Sequence, residues 1–272
     1  MFILYNNQLI PEQYLCIPIS DRAFQYNDGF FETAIVVNGV IRFWPEHLQR
    51  MREAATVLDL QLPDYFFQTA FKEQLLLLAQ QENAINYARL KLKVWRSGEG
   101  LYTPQTNQVY WYATLQQAAP APQAALHIGI CQNVNTVCTP LSHFKGPNAQ
   151  LYVLAGLEKK AHQHDDMLLL TQQGMIGELI SSNIFWLKDN VLFTPGLTSG
   201  CVNGILRRNI IKWCTSQQIK VQEVLQNLDQ LQHADAVFSA NVTGIRGLAS
   251  LNGTPLNQQN DFLKMLRSAL QL

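Results

Sequence analysis

Charge is scarce in this chain. Only 15% of its 272 residues are Asp, Glu, Lys or Arg, and 20 acidic against 20 basic residues leave no net charge. Soluble proteins carry about a quarter, so Gln- and Asn-rich runs such as QQEN, TSQQ and NQQN must supply much of the polar surface. No basic stripe is present, which argues against a nucleic-acid partner. No apolar run approaches the ~20 residues needed to span a bilayer, which argues against a membrane protein. The opening MFILYNNQLIPEQYL lacks a charged leader and a small-residue cleavage site, and it does not read as a signal peptide. The five cysteines, Cys16, Cys131, Cys138, Cys201 and Cys214, are odd in number, widely spread and never spaced Cys-x-x-Cys. They read as buried, reduced thiols of a cytoplasmic protein. Walker loop, Gly-x-Gly-x-x-Gly, Gly-x-Ser-x-Gly and His-Glu-x-x-His are all missing, which removes the common phosphate-loop, dinucleotide, serine-hydrolase and zinc-protease readings.

What is present suits a folded enzyme. The apolar share of 47% is enough for a substantial core, and the length fits one large domain or two smaller ones. Asn38-Gly39 between ETAIVV and VIRFW signals a hairpin. Helices are expected in PEHLQRMREAATVLDL, where Leu48, Met51, Ala55 and Leu58 recur at steps of three and four, and over 65–81. ARLKLKVWR and QVYWYATLQ read as strands. The Pro- and Ala-rich AAPAPQAA, residues 118–125, reads as a linker between domains at 1–117 and 126–272. Beyond it come the strands HIGICQ, MLLLT, MIGELI, NIFWLK and VLFTP. Helices are expected in NAQLYVLAGLEKKAHQ and ILRRNIIKWCTSQQ, ahead of DAVFSA, and at the C-terminus. Strands and helices do not alternate regularly, so an α/β fold with mixed sheets is expected, not a doubly wound one.

Several side chains stand out. The loop TPGLTSGCVNGILRR leads small polar residues into a helix N-terminus, where unpaired amides suit a phosphate; an ordinary strand-to-helix connection has the same look. His47 and Arg50 share a helix face, either as solvated surface or as charge delivered to a phosphate or carboxylate. Lys145 follows Phe144 and precedes Gly-Pro; an amine desolvated there loses its proton more easily and can attack an aldehyde. Glu178, at the mouth of the GELISSNIFW strand, is either a solvated strand end or an acid that keeps a ligand's ring nitrogen protonated. His162, His164, Asp165 and Asp166 form HQHDD, which reads as a solvated helix end and not as a metal site.

The order of these segments carries more than any one of them. DRAFQYNDGFFETAIVVNGVIRFWPEHLQRM, then FKGPNAQ, then GMIGELISSNIFWLKDNVLFTPGLTSGCVNGILRR resembles the class IV aminotransferases, the fold-type IV pyridoxal-phosphate enzymes, over 21–246. The resemblance implies two α/β domains, a small N-terminal one and a larger C-terminal one carrying the cofactor lysine, with the cofactor in the cleft between them and the site completed in a homodimer. It implies pyridoxal 5′-phosphate bound covalently at Lys145, with Glu178 facing the pyridine nitrogen and Arg50 on the phosphate. The amides of Ile205 and Leu206 and the side chain of Asn241 would join Arg50 at that phosphate, and Ser182 and Asn183 would line the ring. Within the family, the short chain, Thr33 in FET, and Tyr102 in WRSGEGLYTP lean toward 4-amino-4-deoxychorismate lyase, with Thr33 and Tyr102 catalytic beside Lys145. Arg96 is the expected substrate-carboxylate contact, although the arginine of the lyase's Arg-Gly-Tyr is absent ahead of Tyr102 here, where Gly100 and Leu101 stand. A branched-chain or D-amino-acid aminotransferase is the alternative, and a non-catalytic pyridoxal-phosphate or small-molecule binding protein is a second one.

Overall fold

The computed structural model describes residues 1–258 and 260–272, and its chain divides into two compact units. The first comprises Met1–Pro120 together with Phe144–Pro147. Its elements are β1 (Phe2–Tyr5), β2 (Gln8–Pro11), α1 (Arg22–Tyr26), β3 (Gly29–Val37), β4 (Val40–Ile41), α2 (Trp44–Leu58), α3 (Thr69–Gln81), β5 (Tyr87–Arg96) and β6 (Val109–Gln117). The six strands form one antiparallel sheet in the order β2-β1-β6-β5-β3-β4. Asn38 and Gly39, both at positive φ, turn β3 into β4, as Asn-Gly should.

Strand alternation gives this sheet two unlike faces. Phe30, Glu32, Ala34 and Val36 of β3 share one face with Ala88, Leu90, Leu92 and Val94 of β5 and with Trp111, Ala113 and Leu115 of β6. All of these are buried, and α2 and α3 pack against them. Burying that many large side chains dominates the unit's stability, at roughly 1.5–3 kcal/mol for each one fully removed from water. Glu32 is the exception, a carboxylate in an apolar row. The helix expected over 65–81 is broken: a 3-10 turn spans Asp64–Phe67, Gln68 is extended, and α3 begins only at Thr69. The break lets Phe66 stack on Phe71 with ring centroids 4.4 Å apart and Trp111 pack edge-on to both.

The second unit comprises Ala121–His143 and Asn148–Leu272. It contains β7 (Leu126–Ile130), α4 (Ala149–His162), β8 (Asp166–Leu170), β9 (Ile176–Leu179), β10 (Asn183–Lys188), β11 (Val191–Pro195), α5 (Ile205–Ser216) and β12 (Val221–Val224). The chain continues through α6 (Asp229–Gln232), β13 (Ala236–Asn241), β14 (Gly244–Leu251), β15 (Thr254–Pro255) and α7 (Asn260–Ala269). The sheet is mixed, in the order β12-β11-β10-β13-β14-β7-β8-β9 with β15 on β14, and β9 also packs against β10. Ile128, Leu168, Leu179, Ile184, Trp186, Val237 and Leu248 fill one core. Ala155 of α4 joins Met167 and Leu169 of β8 in a second, outer cluster.

Three local expectations need correction. The helix ahead of DAVFSA is only the four residues of α6. Only Cys131, Cys201 and Cys214 are buried, whereas Cys16 and Cys138 are exposed. The HQHDD run is not one solvated end: Gln163 caps α4 at positive φ, Asp165 accepts from the His127 amide at 2.8 Å, and buried Asp166 opens β8. Among the described residues no group of His, Cys, Asp and Glu is placed to hold a metal ion, and no helix is long and apolar enough to cross a membrane.

Candidate active site

Lys145 lies beyond the linker in sequence, and the linear reading assigned it to the C-terminal domain. Its segment, 144–147, packs with the first unit instead. The Phe31 amide donates to the Lys145 carbonyl at 2.9 Å, and the Asn27 side chain donates to the Gly146 carbonyl at 3.0 Å. Phe144 is buried edge-on to Phe30. β4 pairs only with the far end of β3, so the edge near Phe31 is left for this segment. Gly146 is required there: its φ is +152°, and a Cβ would stand 2.7 Å from the Gly29 carbonyl oxygen.

The same unit holds a buried ionic cluster. Glu32 points from β3 toward α2, where His47 and Arg50 occupy one face. Arg50 donates through Nε to Glu32 Oε1 at 2.7 Å and through Nη2 to Oε2 at 2.6 Å. His47 Nδ1 lies 2.6 Å from the same Oε2, so it carries the proton of that bond. Burial would raise the Glu32 pKa, but the Arg50 charge and the His47 and Arg50 hydrogen bonds outweigh it and bring the pKa down to about 2. Burial lowers the His47 pKa, against its bond to Glu32; the charges of Arg50 and nearby Lys145 push in the same direction as burial. His47 is therefore neutral, and its Nε2 is buried without a hydrogen-bond partner. Thr33 is half-buried on the opposite sheet face, the face of Phe31.

Glu178, in the second unit, is 3% exposed at the end of β9. Its carboxylate accepts from the Tyr152 hydroxyl at 2.7 Å, from the Val202 amide at 3.1 Å and from Asn183 Nδ2 at 3.5 Å. Asn183 also donates to the Val202 carbonyl at 2.8 Å. Gly204 precedes α5, and a Cβ there would come within 2.1 Å of Asn183 Oδ1, so only glycine lets the helix start against that amide. Ile205 and Leu206 are the buried first residues of α5, where helix amides have no intrahelical acceptor. Ser182 is buried and accepts from Asn241 Nδ2 at 2.9 Å.

Three expected site residues are engaged otherwise. Arg96 is a strut: Nε donates to Asp28 at 3.0 Å, Nη1 to the Asp59 carbonyl at 3.2 Å and to Asn107, and Nη2 to the Leu58 carbonyl. A buried guanidinium spent on the end of α2 is not offered to a substrate carboxylate. Asn241 turns its oxygen to the Thr243 amide and hydroxyl and its amide to Ser181 and Ser182, which fixes the β13–β14 turn. Tyr102 is 88% exposed, and its ring lies against Tyr26 with centroids 5.4 Å apart. Conversely, Glu32 and Tyr152 were not singled out from the sequence. Period-2 alternation through FFETA, which sets Glu32 on the apolar face, was the available signal for the first.

The model of the family described as amino-transferase class IV matches residues 29–251. The chain belongs to the class IV aminotransferases. It is accordingly a pyridoxal-phosphate-dependent enzyme. Among curated class IV relatives, an aminodeoxychorismate lyase of Vibrio harveyi is 29% identical over 244 residues, 87% of each chain. A probable branched-chain-amino-acid aminotransferase of Rickettsia typhi is 27% identical, covering 89% of this chain and 83% of that one. A D-alanine aminotransferase of Listeria monocytogenes is 28% identical, covering 89% and 84%. The Escherichia coli branched-chain aminotransferase structure superposes with a TM-score of 0.89 at 21% identity over 99% of this chain and 93% of that one, which shows the class IV fold.

Proposed function

We propose that this class IV enzyme is a lyase that converts 4-amino-4-deoxychorismate to 4-aminobenzoate and pyruvate, working as a homodimer. Thr33 carries the reading. It supplies a half-buried hydroxyl on the sheet face of Phe31, whose amide is tied to the Lys145 carbonyl. The commitment of Arg96 to the fold counts against a carboxylate trap of the D-amino-acid type. A transaminase acting on branched-chain or D-amino acids is the second reading, favoured by the relatives with those names at 27–28% identity.

The residues present suit the cofactor. Glu178 is a buried carboxylate held by Tyr152, Val202 and Asn183, matched to a protonated ring nitrogen. The α5 N-terminus behind Gly204 and the guanidinium of Arg50 are matched to a phosphate. When bound, pyridoxal phosphate draws electron density away from the reacting carbon of an attached substrate. Lys145 Nζ is the amine that would hold the cofactor's aldehyde, and the same amine would take up and return protons at the reacting carbon. The Thr33 hydroxyl relays a proton to the departing oxygen. Arg50 is kept aimed by the two Glu32 oxygens and supplies fixed positive charge with no reorganisation. In the net reaction the ring C–O bond breaks, the ring loses a proton and becomes aromatic, the departing enolate oxygen takes up one proton, and the resulting enol isomerises to pyruvate. The residues therefore only have to move protons, and no oxidant enters.

The deciding assay supplies chorismate, glutamine and an aminodeoxychorismate synthase to the purified protein and follows 4-aminobenzoate. Product formation that is lost in Thr33→Ala, with cofactor still bound, is the expected result. No 4-aminobenzoate, together with amino transfer from glutamate or alanine to an oxo acid, overturns the lyase in favour of the transaminase. Glu178→Gln is expected to keep bound cofactor and lose ~100-fold or more of turnover, the scale on which one preorganised electrostatic contact acts.

A further inference from the structure

Among the buried nitrogens and oxygens of the Glu32 cluster, His47 Nε2 lacks a hydrogen-bond partner among the described residues. The ring is 0% exposed, and its other nitrogen, Nδ1, is engaged by Glu32 Oε2. Folded proteins pair nearly every buried polar atom, so an orphaned nitrogen marks a place where a group from outside the chain belongs. This one stands beside a cation. His47 Nδ1 and Arg50 Nη2 each lie 2.6 Å from the same Glu32 oxygen, which sets imidazole and guanidinium side by side. An anion received by Arg50 comes alongside His47.

The charged groups around the ring are Glu32 on β3, Arg50 on α2 and Lys145 on the 144–147 segment. Burial above all, with the charges of Arg50 and Lys145 added, keeps His47 neutral against the pull of Glu32. A neutral ring with its proton on Nδ1 presents only a lone pair at Nε2, which repels an anion. Moving that proton across to Nε2 is no remedy. It sets a bare Nδ1 against Glu32, an ionised carboxylate with no proton to give. Only a second proton satisfies both sides. A phosphate ester carries about −1.5 to −2 charge at neutral pH, more than one guanidinium offsets, and an opposite charge at short range favours the cationic imidazole.

We propose that His47 is a second holder of the cofactor phosphate: a proton from solvent enters at Nε2 as the phosphate docks on Arg50, and Nε2 donates it to a phosphate oxygen. Cofactor loading is thereby coupled to the uptake of one proton. The imidazole lone pair forms the new N–H bond, and no other bond changes. This rests on the reading of Arg50 as the phosphate contact and deepens it. His47 binds and orients; it does not touch the reacting atoms. Uptake of one proton makes binding tighten as pH falls, by about tenfold per unit.

The test is calorimetric. Cofactor-free protein is titrated with pyridoxal 5′-phosphate at about pH 7.5 in two non-phosphate buffers of different ionisation heat, which counts the protons exchanged. Protons moved at Lys145 and on the cofactor are common to wild type and His47→Gln. Glutamine keeps an N–H for Glu32 and cannot ionise. The wild type is expected to take up about one proton more than His47→Gln, and the difference is expected to vanish with pyridoxal, which lacks the phosphate. Equal counts with pyridoxal 5′-phosphate overturn the proposal, because a merely structural His47 changes affinity and not the count. A difference that persists with pyridoxal overturns it as well. Should His47→Gln not fold, nitrogen-15 spectra of histidine-labelled wild type decide. Both ring nitrogens of the buried histidine protonated with cofactor, and only one without it, is the expected pattern; a bare nitrogen in both states overturns the proposal. Arg50→Ala separates it from the reading beneath it. Equal counts alongside cofactor affinity that falls in Arg50→Ala remove His47 alone. Unchanged affinity in Arg50→Ala removes Arg50 from the phosphate and His47 with it. Formation of 4-aminobenzoate bears on neither.

Discussion

The Tyr152 hydroxyl and Glu178 Oε1 are 2.7 Å apart, with the tyrosine donating from α4 to a carboxylate on β9. Burial, then the charge of Glu178, pushes the Tyr152 pKa far above its ordinary value, so it remains a donor at every working pH. The bond fixes the orientation of an acid that faces the cofactor ring in the proposed mechanism. Tyr152→Phe removes this donor and leaves a buried carboxylate with less solvation. The expected loss is about 2 kcal/mol, since a bond to a charged group contributes ~1.5–3. Urea unfolding monitored by tryptophan fluorescence measures it, and an unchanged midpoint would show the bond to be dispensable.

Acid should weaken the first unit in two stages. The folded pKa of His47 lies below its ordinary 6.5, so below pH 6.5 the unfolded chain binds a proton that the folded chain refuses. Glu32 follows: its folded pKa of about 2 lies below the ordinary 4.5, so its contribution is complete above pH 4.5 and is lost as pH falls toward 2. At ~1.36 kcal/mol per unit, the carboxylate accounts for on the order of 3 kcal/mol. Glu32→Gln should abolish the lower stage and strongly destabilise the protein at pH 7 by leaving Arg50 buried without its acid. Thermal midpoints between pH 3 and pH 8 separate the stages. A wild-type midpoint that is flat from pH 7 to pH 3 would contradict both assignments.

Asp166 has the opposite sign. Burial raises its pKa from 3.8 to about 6, against the Met167 and Ile180 amides and the charges of Lys159 and Arg246. Its folded form keeps a proton that the unfolded form has released, so stability is lost as pH rises from 3.8 through 6. Asp166→Asn keeps an oxygen for the two amides at 2.8 and 3.3 Å and removes the ionisation. The variant is expected to melt higher than wild type at pH 8 and at the same temperature at pH 4. Calorimetry at the two values decides; equal gains at both would rule out ionisation as the cause.

How far the molecule could be read from its residues depended on the range of the interaction. Local signals were faithful: Asn38-Gly39 made its hairpin and the α2 periodicity made its helix, because each is settled within a few residues. The segment around Lys145 was legible as chemistry and not as topology. Its place against β3 depends on Gly146 approaching the Gly29 carbonyl across more than a hundred residues. Glu32 was hidden for the same reason. In FFETA it looks like any strand acid, and only the packing of α2 brings His47 and Arg50 to it. Tyr152 sits at a position of α4 that periodicity alone would assign to core. Arg96 misled because an isolated arginine near a Gly-rich loop looks like a ligand contact. Its partners at Asp28, Leu58 and Asp59 come from two other segments, which the order of residues does not show to be neighbours.

Arg96 provides the plainest separation of fold from function. Its guanidinium closes the end of α2 by satisfying the Leu58 and Asp59 carbonyls, which have no intrahelical donor, and it shares Asp28 with Arg22, whose Nε lies 2.7 Å from that carboxylate. Lysine cannot reproduce a planar fork that bonds in four directions. Arg96→Lys should therefore cost about 3 kcal/mol, the lower end for breaking a buried charge pair, while the folded fraction turns substrate over with unchanged KM. Denaturant unfolding and steady-state kinetics on the same preparation check the two halves. A KM raised tenfold with stability intact would return Arg96 to the substrate.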